Sequence, residues 1–238
     1  MKKILIFIAL NLAIGNTIAW FMGAAPIDFD TVQFSKQEQQ LVEQLSDSLK
    51  NEADVSAQTQ LGSLYSLHNQ LDLANLWLEK AKQSDGEDPL VTAWLSANRA
   101  KMAGAMFDPV MGLVKTYRLH QACDNLNQAV AAEPESFEIR MIRLATFAPT
   151  NFINCSLEQA FEDEKWFKSF FAGSGKNAPD ELKMQFSLTM TKAYANADNI
   201  QQAQAYMAEF KQLSQNINLT PLLEHELNQA NLLLTEGS

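Results

Sequence analysis

The chain has 238 residues, a net charge of −10 and a hydrophobic fraction of 47%. An acidic body repels phosphate backbones, which excludes nucleic acid as a partner, and the apolar content is that of a folded chain without low-complexity segments. Glycine (9) and proline (7) are scarce while Ala, Leu and Gln are plentiful, which favours helix over sheet.

Met1, Lys2 and Lys3 form a short basic start, and residues 4–25 then carry no charge. Two readings of this stretch stay open. A cleaved signal peptide needs a basic start, an apolar core and a small-residue exit, and Thr17-Ile18-Ala19 supplies the exit. An uncleaved anchor needs about 20 apolar residues, and the basic residues before the run would then keep the N-terminus inside. Either way residues 26–238 are expected outside the cytoplasm. The short basic start has a bacterial look, so the expected place is the periplasmic side, soluble or tethered to the inner membrane. Residues 26–34 are expected to be a linker, and 35–238 the folded domain.

Ser35 followed by Glu38 spells a capping box. It opens a helix with Leu41, Val42, Leu45 and Leu49 on one face. Leu61, Leu64, Tyr65 and His68 recur at helical spacing, as do Leu73, Leu76, Trp77, Lys80 and Ala81, with Asn69-Gln70 between the two runs. Two helices joined by so short a polar turn make an antiparallel hairpin. Gly62 inside the first run costs about 1 kcal/mol of helix propensity, so another helix is expected to approach it closely.

Leu61-Gly62, Tyr65, Ala74, Leu78 and Ala81 fall at the spacing of a tetratricopeptide repeat, and the chain resembles that family. Ala122, Leu126, Ala129 and Pro134 repeat the second-helix half. Tyr194, Ala203, Met207 and Phe210 repeat it again, with Phe in place of the last small residue. The run AV-x-x-x-P-x-x-x-x-x-R-x-x-R within residues 121–143 is similar to a group of bacterial tetratricopeptide-like proteins of unassigned role. The resemblance spans roughly residues 54–215. It implies an all-α solenoid of stacked helical hairpins, about ten helices after the apolar segment, and a protein or peptide partner of unknown identity on the concave face.

Between these units, Pro89 starts a helix through Trp94, Leu95 and Asn98. Residues 104–112 form an irregular apolar insertion, with Phe107 and Met111 as candidates for a partner-binding lip; the plain alternative tucks them under the neighbouring hairpin. Phe137, Met141, Leu144 and Ala148 make a helix ended by Pro149. Ser156 caps another helix, and residues 172–179 form a loop. Asp198-Asn199 is a turn, and Thr220-Pro221 restarts a closing helix carrying Leu223, Leu227, Ala230 and Leu234.

Chemistry is sparse. His68, His120 and His225 are scattered, and no phosphate loop, nucleophile elbow or metalloprotease motif is present. No catalytic residue, cofactor or metal site is expected, and the reading is of a non-catalytic adaptor, with an assembly chaperone for a membrane or envelope complex, or a small-ligand-binding protein, as the alternatives. Cys123, near the start of one second-type helix, and Cys155, just before the next, can meet if those helices run parallel, and an exported body permits the bridge. Arg140 and Arg143 share a helix face. They would grip a partner's carboxylate, or simply pair with a nearby acid such as Asp124 or Asp163.

Overall fold

The computed structural model describes residues 2–50, 53–110, 112–149 and 155–236. All regular structure among them is helical. Helix α1 (Lys2–Ala19) runs into one π-helical turn (Trp20–Ala24). Ten helices follow: α2 (Lys36–Ser48), α3 (Val55–Leu67), α4 (Leu71–Ser84), α5 (Pro89–Ala105), α6 (Leu113–Ala132), α7 (Phe137–Phe147), α8 (Leu157–Ala172), α9 (Asp180–Asn196), α10 (Ile200–Leu213) and α11 (Pro221–Glu236). Among the described residues no helix is long and apolar enough to cross a membrane, so the fold lends the expected anchor no support.

Local sequence explains most helix starts. The Ser35 hydroxyl accepts from the Glu38 amide, and the Glu38 carboxylate accepts from the Ser35 amide, closing both sides of the capping box. Asp54, Asp88, Ser136, Ser156 and Asn199 each cap the helix that follows through a side-chain oxygen.

Two hairpin turns share one geometry. After α3, Asn69 takes a left-handed φ of 57°, Gln70 N–H reaches Tyr65 O at 2.9 Å, and Asn69 N–H reaches Ser66 O. After α9, Asp198 has the same φ, Asn199 N–H reaches Tyr194 O at 2.9 Å, and Asp198 N–H reaches Ala195 O. Each is a complete Schellman closure, built on Asn or Asp where Gly is commoner. Tyr, the left-handed residue and the buried Ala that begins the next core face (Ala74, Ala203) keep the same spacing in both turns.

Helix α3 packs on α4, α5 on α6, and α9 on α10, while α7 bridges α5 and α9 and also meets α6 and α8. The α3–α4 crossing is tight. A Cβ on Gly62 would lie 2.6 Å from Leu78 Cγ and 3.2 Å from Leu78 N. Leu61, Ala74, Leu78 and Ala81 are all fully buried there. The main core joins α5 to α10 through residues such as Leu126, Ile139, Leu144, Phe147, Phe167 and Met190. A second core holds α11 against α9 and α10 through Met184, Leu188, Phe210, Leu223 and Ala230.

The expected linker differs from a free tether. Residues 26–34 are extended and fastened to the body: Ile27 N–H donates to Gly104 O, Val32 N–H to His68 O, and Asn69 Nδ2 to Asp30 O. Phe34 lies against the His68 ring at 4.1 Å between centroids. These partners sit at the ends of α3 and α5, and adjacent residues give no sign of them. Cys123 also differs from its expected place. It lies midway along α6, because that helix begins at Leu113 immediately after left-handed Gly112.

Candidate functional site

Three separate neighbourhoods stand out in the structure, and residues singled out from the sequence occupy the first and the third. Cys123 and Cys155 are joined as a disulfide, with Cα atoms 5.6 Å apart, and both sulfurs lie in the main core. Arg140 and Arg143 project from α7 onto one carboxylate. Asp163 on α8 is wholly buried; it accepts from Arg143 Nε at 2.8 Å and Nη2 at 2.7 Å, and from Arg140 Nη1 at 2.7 Å. Arg143 Nη1 also reaches Asn127 Oδ1, and the Arg140 guanidinium stacks 5.0 Å over Trp166. The two guanidiniums are thus consumed inside the fold, in a bidentate clamp that leaves no fork for an outside carboxylate.

A second neighbourhood draws on residues far apart in sequence. Lys101, near the end of α5, donates to Ser66 O and Asn69 Oδ1 at 2.8 Å each. Lys192, buried on α9, bonds Glu226 of α11. Lys101 feels the charges of both Glu226 and Lys192. Burial pushes the Lys101 ammonium down to about 8, a cost that attraction to Glu226 only partly offsets. Burial alone would raise the Glu226 carboxyl, but the charge and hydrogen bond of Lys192, with Lys101 behind them, hold it below the ordinary carboxylate value. Lys192 on α9 thus pairs directly with Glu226 on α11, while Lys101 on α5 is held by Ser66 O and Asn69 Oδ1 and lies within electrostatic range of both. Sequence reading passed over all three residues, since each is a lone charge on a separate helix.

The third neighbourhood surrounds the 106–112 insertion. Phe107 and Val110 are 63% and 42% exposed, so they do not tuck under the hairpin; Met111 lies outside the described residues. The insertion is ordered from below. Asp108 accepts from the amides of Val110 and Lys115 at 2.9 Å, and these backbone bonds outweigh burial to hold its carboxyl below the usual range. The Lys115 side chain is 1% exposed. Its ammonium donates to Ala25 O at 2.6 Å, to Gly104 O at 2.8 Å and to Ala24 O at 3.4 Å. Burial pulls that ammonium below its ordinary value, against the attraction of Asp108. Lys115 thus ties the exit of the apolar segment to the end of α5. A buried ammonium bonded only to carbonyls is invisible in sequence, because two of its three partners lie about ninety residues away.

Other polar groups serve packing. Both ring nitrogens of buried His68 face acceptors, Val32 O and Glu38 Oε1, at 3.2 Å. Glu164 accepts from Tyr194, Tyr206 and Lys168; burial first, then the hydrogen bond to Glu164 and its charge, push the Tyr194 phenol up to about 12. Among the described residues no group of three His, Cys, Asp or Glu converges to hold a metal ion. A cleft of ≈ 430 Å³ between residues 31–36, α2 and Gln70 is lined by four glutamines beside Thr31, Val32, Phe34 and Ser35, with Lys36 its one titratable residue. No family model, curated protein or solved structure matches the chain.

Proposed function

We propose that the chain is a non-catalytic, exported adaptor: a divergent tetratricopeptide-like stack of helical hairpins that binds a protein or peptide. Support for the repeat reading comes from the matched turns after α3 and α9 and from the small-residue crossing at Gly62. Support for export comes from the Cys123–Cys155 bridge, which belongs to an oxidising compartment, and from the basic start before an apolar segment.

The observation that carries the binding reading is the pair of recessed lysines with one carboxylate. Lys101 and Lys192 stand on α5 and α9, the first helices of two hairpins, and an acidic group of a partner would complete the charge balance there. Crosslinking of the full chain in envelope fractions tests it, with the mature N-terminus sequenced in the same sample. The expected result is one dominant protein partner crosslinked to α5 or α9, and its loss on Lys101→Gln with helicity and the disulfide unchanged. Crosslinks that survive Lys101→Gln would move the site elsewhere, and a soluble product with no partner would end the adaptor reading.

One feature favours a second reading, an accessory or assembly factor of a membrane complex. The Lys115 contacts make residues 24 and 25 part of the folded body, so the apolar segment is more than a passive leader if it is retained.

A further inference from the structure

The apolar helix, the 106–112 insertion and the start of α6 together expose hydrophobic surface. Along α1, Ile4, Leu5, Ile6, Phe7 and Ile8 are all between 48% and 67% exposed. Five consecutive helical positions step through the full circle at about 100° each, so this stretch is apolar at every azimuth, and further along the Asn11 and Thr17 side chains bond carbonyls of their own helix, Phe7 O and Ala13 O. A protein groove or a second copy covers one side of a helix and leaves the opposite side in water. A helix without a polar side suits a medium that is apolar all round.

The base of this helix meets a second apolar surface. The Trp20 ring lies 6.1 Å from the Phe107 ring, and Asn16 Nδ2 donates to Pro109 O at 2.8 Å. Beside them Val110, Leu113, Val114 and Tyr117 follow helical spacing on the outer face of the start of α6. They are exposed, while Leu119, Ala122 and Cys123 of the same helix face the core. Leu113 is 60% exposed and Tyr117 66%. Lys115, between them, turns inward and fixes this rim to the helix exit. Aromatic rings around the foot of an apolar helix, with Arg118 exposed next to Tyr117, are the composition of a membrane–water interface.

We infer that Phe107, Val110, Leu113, Val114 and Tyr117 form a collar that rests on a lipid bilayer, with α1 entering the acyl layer through it. The inference deepens the tethered form of the proposed adaptor and rests on retention of the apolar segment. The 18 residues of α1 rise about 27 Å, just under the ~30 Å hydrocarbon thickness. The charged start has to reach the far headgroups, so the seat requires the bilayer to thin locally around this short helix. Seated this way, the body has a fixed tilt at the surface, with the start of α6 facing the lipid.

Site-directed spin labelling of the full chain tests the collar. Leu113→Cys and Tyr117→Cys, and Ser84→Cys as an exposed control, are each labelled with the buried Cys123–Cys155 bridge intact. Each chain is reconstituted with phosphatidylethanolamine–phosphatidylglycerol vesicles. The expected result is that the chain floats with the vesicles, and that labels at 113 and 117 collide several-fold less with a water-soluble nickel chelate, and more with oxygen, than the label at 84. Floating vesicles with labels at 113 and 117 as chelate-accessible as at 84 overturn the collar and leave the tether standing. Labels shielded from both quenchers put protein, a second copy included, on the collar and overturn it too. A chain that fails to float removes the tether and the collar together.

Discussion

Asp163 is a single carboxylate serving two guanidiniums, and its loss would strand both. The expected cost of Asp163→Ala is about 3–5 kcal/mol, the range for removing one partner of a buried charge cluster; urea denaturation measures it. The same Ala change at Asp124, which meets His120 at the surface, should move stability by less than about 1 kcal/mol. Lys101 makes a prediction in pH. Its folded value of about 8 lies below the ordinary 10.5, so the unfolded chain holds the proton longer. Stability should therefore rise as pH climbs from 8 towards 10.5, by about 1–2 kcal/mol up to pH 10. Tyr194 acts oppositely: its phenol is held to about 12 against an ordinary 10, so its contribution is present below pH 10 and lost as pH climbs to 12. Denaturant midpoints between pH 8 and 10 isolate the lysine, and Lys101→Met should remove most of the rise, the remainder coming from Lys115.

At the level of helices and their crossings, Gly62 sets the approach of α3 to α4. Replacement by Ala gains about 1 kcal/mol of helix propensity but drives a methyl group into Leu78 side chain and backbone, and overpacking of this kind costs roughly 1–3 kcal/mol. The net expectation is a lower melting temperature for Gly62→Ala, read by far-UV circular dichroism; a raised one would mean that α4 slides freely. This crossing was readable beforehand, because a glycine inside an apolar helical stripe has few other uses. The capping box at Ser35 and the turn at Asn69-Gln70 were readable for the same reason: each is decided by residues within five positions of one another. The path of residues 26–34 and the exposure of Phe107 were not. Both depend on contacts that neighbouring residues do not announce: Gly104 O and His68 O for residues 26–34, and, for the insertion, the Asp108 carboxylate bonding the start of α6 and the Ala24 and Ala25 carbonyls holding Lys115.

Across the whole chain, the disulfide closes a loop with a sequence separation of 32, which the chain-entropy model converts to about 3–4 kcal/mol. The double variant Cys123→Ala, Cys155→Ala should lose about that much in a denaturant titration, and reducing agent should have no further effect on it. Pairing of these two residues was conceivable from sequence only once two helices were assumed to run side by side. The lysine pair with Glu226 was beyond sequence reading altogether. It depends on α11 folding back against α9 rather than continuing past α10, a choice made by Leu223 and Ala230 finding Met184 and Leu188.

The Lys115 contacts also impose an order in time. The carbonyls of Ala24 and Ala25 leave the ribosome about ninety residues before the ammonium that will hold them. During that interval the peptide bonds beside them are open to any peptidase that meets the emerging chain; once α6 has docked, the same bonds are sealed. On the export reading, cutting of the segment after the apolar helix becomes a race between processing and the completion of α6, and Lys115→Met should lengthen the window in which a protease can win, seen as more trimmed chain in a pulse-chase of the full chain.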